Sequence, residues 1–344
     1  MGVVGRRIGL SLLLIFAPAL VGPGLSPAGG DSGPPAVVTD PVSFRVENPD
    51  APGETFTVRG TLSRPGRMPG CSSSVLLLLH GTAGGAFAWD FPVRPEKYSV
   101  TRALARAGYP TVAIDELGYA SSDHPNGDTL TIPAYADITH QIVRQLRDGA
   151  YTTRAPVRFG RVGLIGHSAG GEMAELSAGT YGGIDLLVVM GFIHTVSDEV
   201  ARVFTTEEIP RALGHDYVFF WGSKERVHHF HHNADYIDPD VLAKVDDLTT
   251  LTPSGLILTI GPFPSRAVMG SIKVPLLLMV SEKDAIFPVD KAHQDLDLFV
   301  AATDKTLHVV PKAGHTFHLE PNAPDTMAAL VSWLAARPAA LPAC

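Results

Sequence analysis

Cysteine is almost absent from this chain. Its 344 residues contain only two cysteines, Cys71 and Cys344. A count this low excludes a small disulfide-stapled scaffold, and it excludes the multi-cysteine zinc sites whose ligands come in closely spaced pairs. Two cysteines can still form one bond in an oxidising compartment, and the residues leave both outcomes open: a Cys71–Cys344 disulfide or two unpaired thiols.

Positive charge is not in excess either. The chain has 27 Lys and Arg against 35 Asp and Glu, which gives a formal net charge of −8. Proteins that bind nucleic acid neutralise its phosphates with clustered basic side chains, and this sequence contains no such cluster. We therefore expect no nucleic-acid partner. With 45% hydrophobic residues, the chain can instead bury a large core.

Long apolar runs are missing as well. Near the N-terminus, Arg6 and Arg7 precede an apolar stretch over residues 8–16, which is shorter than the ~20 residues that a membrane-spanning helix requires. Small residues and prolines follow this stretch, as is typical of a cleaved export signal. The pattern predicts a signal peptide over residues 1–30, a mature chain without a stable membrane span, and a secreted or extracytoplasmic location.

Short apolar runs alternate with amphipathic stretches through most of the remaining chain. The runs predict strands buried on both faces, at residues 74–79, 110–115, 161–166, 185–190, 274–280 and 306–310. Helical patterns lie at 98–108, 131–149, 288–302 and 324–336, and an antiparallel hairpin is predicted from 43–46 and 55–62. This order predicts an α/β fold with a doubly wound, mostly parallel sheet.

The alternation stops between residues 191 and 271. This part of the chain is rich in histidine, aromatic residues and turn formers, and it is too long for a simple loop. We expect it to form a cap or lid over the carboxyl ends of the strands, where open α/β sheets bind ligands. The predicted organisation is a first core part at 31–191, an inserted segment at 192–272 and a second core part at 273–344.

A Gly-His-Ser-Ala-Gly motif at residues 166–170 joins a predicted buried strand to a predicted helix. This is the pattern of a nucleophile elbow, a sharp turn that holds a serine in a strained backbone conformation and exposes its hydroxyl. The glycines two residues to either side of the serine leave room for the turn. Ser168 is therefore the candidate catalytic nucleophile.

A serine hydroxyl needs help to act as a nucleophile at neutral pH. It requires a base within hydrogen-bonding reach, and the base requires a carboxylate that orients it. His315 follows the last predicted strand on a glycine-preceded loop, and Asp284 follows the strand before it. His318 is a second candidate base, but no glycine precedes it. The residues thus favour Ser168, His315 and Asp284 as a catalytic triad.

Four motifs occur in an order typical of one protein family. A His-Gly-Thr motif at residues 80–82 follows the first central strand, and the serine motif comes next. Ser-Glu-Lys-Asp at 281–284 ends a later strand, and Ala-Gly-His at 313–315 follows the last one. With these motifs in the order serine, acid, histidine, the chain resembles an α/β-hydrolase-fold serine hydrolase of the esterase or lipase type, exported and bacterial, over residues 42–337.

The resemblance implies the remaining residues of the site. Ester cleavage forms an oxyanion that needs two N–H donors, which the family pattern assigns to the backbone of Thr82 and Ala169. Some members of the family place the acid after an earlier strand, so that Asp198 is an alternative to Asp284. The Ser-x-x-Asp loop favours Asp284. Glu282, in the same loop, is a lesser alternative.

A run of histidines at residues 228–232 lies in the inserted segment. Histidine is a common zinc ligand, but adjacent histidines point in different directions and no further pair with ligand spacing accompanies them. We expect a solvated or aromatic-packed stretch here, with no metal site and no cofactor. Nearby aromatic residues are expected to form a small core of the inserted segment and to line an apolar pocket: Phe219, Phe220, Trp221, Phe230 and Tyr236.

These expectations combine into one function. The sequence predicts a secreted serine hydrolase that cleaves a small-molecule carboxylic ester through an acyl-enzyme intermediate. Two alternatives stay open because the same scaffold hosts several functions. One is an acyltransferase that uses the same triad, and the other is a binding protein that keeps the fold without catalysis.

Overall fold

A mostly parallel sheet forms the centre of the protein. The computed structural model describes residues 1–2, 36–66 and 73–343. Its strands are β1 (Val37–Glu47), β2 (Thr55–Pro65), β3 (Ser74–Leu79), β4 (Thr111–Asp115), β5 (Arg161–His167), β6 (Leu186–Met190), β7 (Tyr217–Val218), β8 (Thr252–Pro253), β9 (Leu276–Ser281) and β10 (Lys305–Val310). Within these residues the main sheet has eight strands in the order β1-β2-β4-β3-β5-β6-β9-β10, and β7 and β8 pair separately.

The pairing of these strands confirms the predicted sheet. Strand β2 runs antiparallel to both β1 and β4, whereas the neighbours from β4 through β10 are parallel. In β3 the side chains of Val75, Leu77 and Leu79 enter the hydrophobic cluster on one face of the sheet, and Leu76 and Leu78 enter the cluster on the other. Alternation of this kind buries both faces of a strand, which explains its continuous apolar sequence.

Helices cover both faces of the sheet. The α-helices of the described residues, including those of the inserted segment, are α1 (Pro95–Tyr98), α2 (Val100–Arg106), α3 (Ile132–Asp148), α4 (Ala169–Tyr181), α5 (Asp198–Val203), α6 (Ile209–Ala212), α7 (Lys224–His231), α8 (Pro239–Leu248), α9 (Ser254–Ile260), α10 (Ala292–Leu296) and α11 (Ala323–Ala335). Helices α3 and α4 pack on one face through Ile138 and Met173. Helices α2 and α11 pack on the other face through Leu104 and Leu330. The doubly wound architecture follows from this arrangement.

Two predicted helices differ from the observed ones. The pattern at 98–108 is divided at Ser99, because the hydroxyl of this residue accepts the N–H of Arg102 at 3.1 Å and caps α2. The pattern at 288–302 yields a turn of 3₁₀ helix, Val289–Lys291, and the short helix α10. Tight turns replace its last part, with the N–H of Phe299 donating to the carbonyl of Leu296, and these turns carry the Phe299 side chain fully into the core.

The inserted segment at 192–272 contains α5 to α9 and the short pair β7 and β8. One turn of π-helix, Phe204–Glu208, connects α5 to α6. The aromatic rings of Trp221 and Phe230 lie 4.2 Å apart between centroids and are buried. The segment therefore has packed aromatic side chains of its own, and α9 also contacts α3 of the core.

Several predictions concern residues outside the described ranges. The signal peptide at 1–30 is one of them, and the Cys71–Cys344 bond is another, because both cysteines lie beyond these ranges. Both therefore stay predictions. Among the residues that the structure does describe, no helix has the length and hydropathy needed to cross a bilayer.

A buried ionic cluster ties α4 to the inserted segment. The Nδ1 of His194 lies 3.0 Å from a carboxylate oxygen of Asp295, and its Nε2 lies 3.2 Å from Glu175 and 2.8 Å from the hydroxyl of Ser265. Burial by itself lowers the pKa of His194, but the two carboxylates outweigh burial and raise the pKa from 6.5 to about 10. At neutral pH the imidazolium therefore bridges two buried carboxylates.

We expect His194→Gln to lower the free energy of unfolding at pH 7 by about 3 kcal/mol, because it leaves the carboxylates of Glu175 and Asp295 without their counter-charge. The folded-state pKa of His194 lies above the unfolded value, so its stabilisation is fully present below about pH 6.5 and is lost as the pH rises through about 10. Urea unfolding at pH 7, 8.5 and 10 measures the difference between the two proteins. It should shrink as the pH rises.

The control is His229→Gln, because His229 is an exposed histidine that also faces a carboxylate, Glu199 at 3.4 Å. Exposed pairs contribute little to stability, so we expect no resolved change in the free energy of unfolding. If the gap between the wild-type protein and His194→Gln stays constant from pH 7 to 10, His194 is not the charged group of the cluster.

Candidate active site

The backbone at Ser168 has the conformation of a nucleophile elbow. The residue stands between the end of β5 and the start of α4, with φ of 55° and ψ of −125°. A positive φ is uncommon for a residue with a side chain and persists only where the surrounding structure holds it. Here the N–H of Ser168 donates to the carbonyl of Met190 at 2.9 Å, and its carbonyl accepts the N–H of Gly171 at 2.8 Å.

The glycines beside the serine are required by close backbone contacts. A Cβ atom on Gly166 would lie 2.1 Å from the carbonyl oxygen of Gly170. A Cβ atom on Gly170 would lie 2.4 Å from the carbonyl oxygen of Leu79, at the end of β3. Only glycine fits at these two positions, because any side chain would force the strand and the helix apart.

His315 and Asp284 form a buried pair at the same edge of the sheet. The Nδ1 of His315 donates to the Oδ2 of Asp284 at 2.9 Å, and both side chains are about 1% exposed. The other carboxylate oxygen of Asp284 accepts the backbone N–H groups of Ile286 and Phe287 at 2.8 and 3.1 Å. These bonds fix the carboxylate, and the carboxylate in turn fixes the imidazole with its proton on Nδ1.

Ser168 and His315 line the same small cavity, of about 50 Å³. The Nε2 of His315 is buried and has no hydrogen-bond partner among the described residues. With Nδ1 protonated, this Nε2 is the unprotonated nitrogen that can accept a proton. In free enzymes the bond from serine to histidine is often long and shortens when substrate binds.

Two backbone N–H groups flank the serine. As the first residue of α4, Ala169 has an N–H that no carbonyl of its own helix accepts. Thr82 follows Gly81, and a Cβ on Gly81 would lie 2.8 Å from the Cβ of Ser168, so this loop runs directly against the serine. The next residue, Ala83, has a φ of 57° and donates its N–H to the hydroxyl of Thr252 at 3.0 Å. A residue of the inserted segment thus holds the loop that carries Thr82.

The alternative carboxylates lie elsewhere. Asp198 is exposed in the first turn of α5, where the hydroxyl of Ser197 caps the helix. Glu282 accepts the N–H of Lys312 at 2.8 Å and is 45% exposed. The structure therefore brings Asp284, and neither of the two alternatives, into contact with His315.

The alternative base and the first motif histidine are both enclosed. His318 stacks on Trp89 at 5.3 Å between ring centroids, and burial lowers its pKa to about 3. His80 donates from Nδ1 to the carbonyl of Gly81 at 2.8 Å and accepts the N–H of Glu116 on Nε2 at 3.1 Å. Both of its ring nitrogens thus bond to backbone groups, one in the loop after β3 and one in the loop after β4. His80 therefore holds these two loops together.

The histidine run at 228–232 diverges, with each side chain facing a different partner. His228 contacts Asp246 at 2.7 Å, and His229 is largely exposed. The Nε2 of His231 accepts the indole N–H of Trp221 at 3.0 Å, and the Nδ1 of His232 lies 2.6 Å from the hydroxyl of Thr316. Over residues 36–66 and 73–343, no group of three or more His, Cys, Asp or Glu side chains is placed to hold a metal ion.

Two residues that the sequence analysis did not single out hold the His315 loop. His167, next to the serine, donates from Nε2 to the carbonyl of His315 at 3.0 Å. The carboxylate of Glu320 accepts the N–H of Gly314 at 3.0 Å and the N–H of Asn233 at 2.8 Å. The signal that could have identified His167 is its place directly before the motif serine, at the unspecified second position of Gly-x-Ser-x-Gly. No local pattern marks Glu320, because one of its partners, Asn233, is 87 residues away in the chain.

A larger apolar cavity of about 460 Å³ also opens onto Ser168. It shares Ser168 and Thr82 with the small cavity, but His315 does not line it. Most of its wall comes from the inserted segment, and no charged side chain faces it among the described residues. The main apolar side chains of the wall are Val196, Val200, Phe204, Ile209, Phe220, Trp221, Leu258, Ile260, Phe263, Ile286 and Phe287.

Comparison with known proteins places this chain in a family. A search of curated proteins finds no significant match. Among solved structures, an esterase from Thermogutta terrifontis has a TM-score of 0.65 at 18% identity and covers 86% of this chain and 98% of its own. The enol-lactonase of Burkholderia xenovorans LB400 has a TM-score of 0.63 at 16% identity and covers 81% and 97%. The family model described as alpha/beta hydrolase family matches residues 76–330. With more than half of its length matched, and with a mostly parallel sheet that carries the motif residues at one edge, the chain belongs to the alpha/beta hydrolase family.

Proposed function

We propose that the protein is a serine hydrolase that cleaves carboxylic esters through an acyl-enzyme intermediate. Ser168 is the nucleophile, His315 the general base and Asp284 the carboxylate that orients the base. The observation that carries the proposal is the combination of the strained backbone at Ser168 with the buried His315–Asp284 pair on one cavity. The solved structures of similar fold include an esterase and a lactonase, whose reactions are of the same class.

The first half of the reaction acylates the serine. The hydroxyl of Ser168 attacks the ester carbonyl while the Nε2 of His315 takes its proton, and Asp284 stabilises the imidazolium that forms. The N–H groups of Thr82 and Ala169 donate to the oxyanion of the tetrahedral intermediate. Each such donor lowers the barrier by roughly 3 kcal/mol. His315 then returns the proton to the leaving alcohol, and the acyl group stays on Ser168.

The second half of the reaction releases the acid. A water molecule takes the place of the alcohol, and His315 removes its proton as it attacks the acyl carbonyl. The same two N–H donors stabilise the second oxyanion. Collapse of this intermediate restores the serine hydroxyl and frees the carboxylic acid, so the triad returns to its starting protonation state.

The apolar cavity indicates the substrate class. Its volume of about 460 Å³ and its hydrophobic wall suit an uncharged aliphatic or aromatic acyl group. The inserted segment, as the cap of the proposed enzyme, supplies most of this wall and so sets the acyl specificity. The leader sequence at 1–30 supports a further proposal, that the enzyme acts outside the cytoplasm.

The proposed function is tested with a fluorophosphonate probe and a series of chromogenic esters. We expect the probe to label the folded protein at Ser168, and not the heat-denatured protein, because only an activated serine reacts. Burial of each added methylene in the apolar cavity contributes about 0.8 kcal/mol, so kcat/KM should rise up to about fourfold per methylene from the acetyl ester until the cavity is filled. Peptide mass spectrometry locates the label. Folded protein that is not labelled and cleaves no ester would contradict the proposal.

A further inference from the structure

Two cavities meet at Ser168, and their linings differ. The small cavity is lined by five histidines and three threonines together with apolar side chains such as Phe87, Val227, Val245 and Leu319; the histidines are His167, His231, His232, His315 and His318. The apolar cavity lies on the other side and does not include His315. In ester cleavage the general acid must reach the oxygen of the leaving alcohol. The alcohol portion of the substrate therefore lies in the small cavity, and the acyl portion in the apolar cavity.

His231, which lines this small cavity, carries a ring N–H that has no partner within the described residues. The indole N–H of Trp221 can only donate, and it points at the Nε2 of His231 at 3.0 Å. The Nε2 must therefore be unprotonated, and burial lowers the pKa of His231 well below its usual value, so the neutral ring carries its proton on Nδ1. Within the described residues this Nδ1–H has no acceptor.

The ring of His231 lies at the small cavity, close to the proposed general base. His231 lines the small cavity and retains 8% exposure, and its ring centroid lies 5.5 Å from that of His315. Its Nδ1 is not among the fully enclosed unpaired nitrogens. A molecule that fills the cavity would shield this N–H from solvent, and a shielded N–H without an acceptor is costly, so that molecule is expected to supply one.

The size of the small cavity limits what it can hold. Its volume is about 50 Å³. One water molecule needs roughly 10–15 Å³ measured in this way, so the cavity holds about four groups of that size. That number fits a short alcohol of two or three carbons.

We propose that His231 is a specificity-determining residue whose Nδ1–H binds an oxygen on the alcohol portion of the ester; this inference rests on the proposed function. The substrate class is an ester of an apolar acid with a short alcohol that carries a second oxygen. Trp221 is the positioning residue, because its indole N–H selects the tautomer of His231. Trp221 also lines the apolar cavity, so one side chain contributes to both parts of the substrate site.

The test compares two esters of the same acid that differ in one heavy atom. These are 2-hydroxyethyl butyrate, the monoester of ethylene glycol, and n-propyl butyrate. Their leaving groups are of nearly equal size, but only the first has a second oxygen. We expect the wild-type protein to prefer the 2-hydroxyethyl ester by about 10-fold in kcat/KM, the effect of one enclosed hydrogen bond. In His231→Phe this ratio should fall to within about twofold, because the donor is lost while a ring of similar size remains.

A matched control uses another histidine, two residues before His231. His229 belongs to the same helix and its side chain is 56% exposed, so His229→Phe makes the same substitution outside the cavity. We expect it to keep the wild-type ratio of the two esters. Trp221→Phe provides a second variant, in which the tautomer of His231 is no longer selected, and its ratio should lie between those of the wild-type protein and His231→Phe.

Each outcome decides the proposal. A wild-type ratio near one overturns it whatever the variants show, and so does a preference that persists in His231→Phe. If His231→Phe does not fold, His231→Gln serves in its place. The amide oxygen of glutamine can accept the Trp221 N–H, and because both amide atoms lie at that end of the side chain, the amide does not replace the Nδ1–H. Failure of the proposed function is distinct. In that case the wild-type protein cleaves neither ester and Ser168 takes no fluorophosphonate label.

Discussion

Ser168→Ala is expected to reduce kcat for ester hydrolysis by roughly 10⁴-fold or more while the protein stays folded. The reason is that the oxyanion donors of Thr82 and Ala169 remain in the variant but no acyl-enzyme can form. Activity on a short chromogenic ester measures the loss, and fluorophosphonate labelling should disappear with it. Circular dichroism and the melting temperature establish that the fold is retained.

Ser271, which lies outside α4 but contacts its far end, provides the control. Ser271 donates its hydroxyl to the carbonyl of Gly179, in the last part of that helix and outside both cavities. We expect Ser271→Ala to keep wild-type turnover. Near-wild-type turnover in Ser168→Ala would remove the nucleophile from the proposed mechanism, and the binding protein without catalysis would then be the better interpretation of the fold.

The second large effect is expected for Asp284→Asn, with kcat reduced by roughly 10⁴-fold. The amide can donate to the Nδ1 of His315 and so stabilise the tautomer in which Nε2 is protonated, and that nitrogen can no longer act as a base. The two backbone bonds to Ile286 and Phe287 need only the other oxygen, which an amide retains. The fold should therefore persist. Steady-state kinetics measures the loss of kcat, and fluorophosphonate labelling of Ser168 provides a second readout.

Two other carboxylates serve as matched controls. Asp198 is exposed in α5, and Glu282 is bonded to the N–H of Lys312, away from His315. Asp198→Asn and Glu282→Gln should each change kcat/KM by less than about threefold, because neither side chain contacts the base. If Asp198→Asn were the inactive variant and Asp284→Asn the active one, the acid would belong to the earlier strand.

Much of the fold could be predicted from local patterns. The strands β3 and β6 are continuous apolar runs because both of their faces are buried, and such runs are visible without any tertiary information. Helix α3 shows its cap at Thr131 and its end at Gly149, whose φ of 68° suits a glycine. Local prediction failed at Ser99 and Phe299. At Ser99 a capping hydroxyl divides the helix, and at Phe299 packing in the core replaces helix by tight turns.

The sequence by itself determined the sheet class, the position of the proposed nucleophile and the order of the proposed triad residues. These features are local, because a strand that ends in a glycine-flanked serine needs only its own residues to make the turn. The Ser-x-x-Asp loop already favoured Asp284 over the other carboxylates, and the tertiary structure brings this carboxylate to His315. The tertiary structure alone decided that His231 and Trp221 of the inserted segment line two cavities that meet at Ser168, one with several histidines in its wall and one apolar. The physical reason is that these contacts join residues far apart in the chain, and the register of packing between the inserted segment and the sheet sets their distances. No short pattern in the sequence encodes that register.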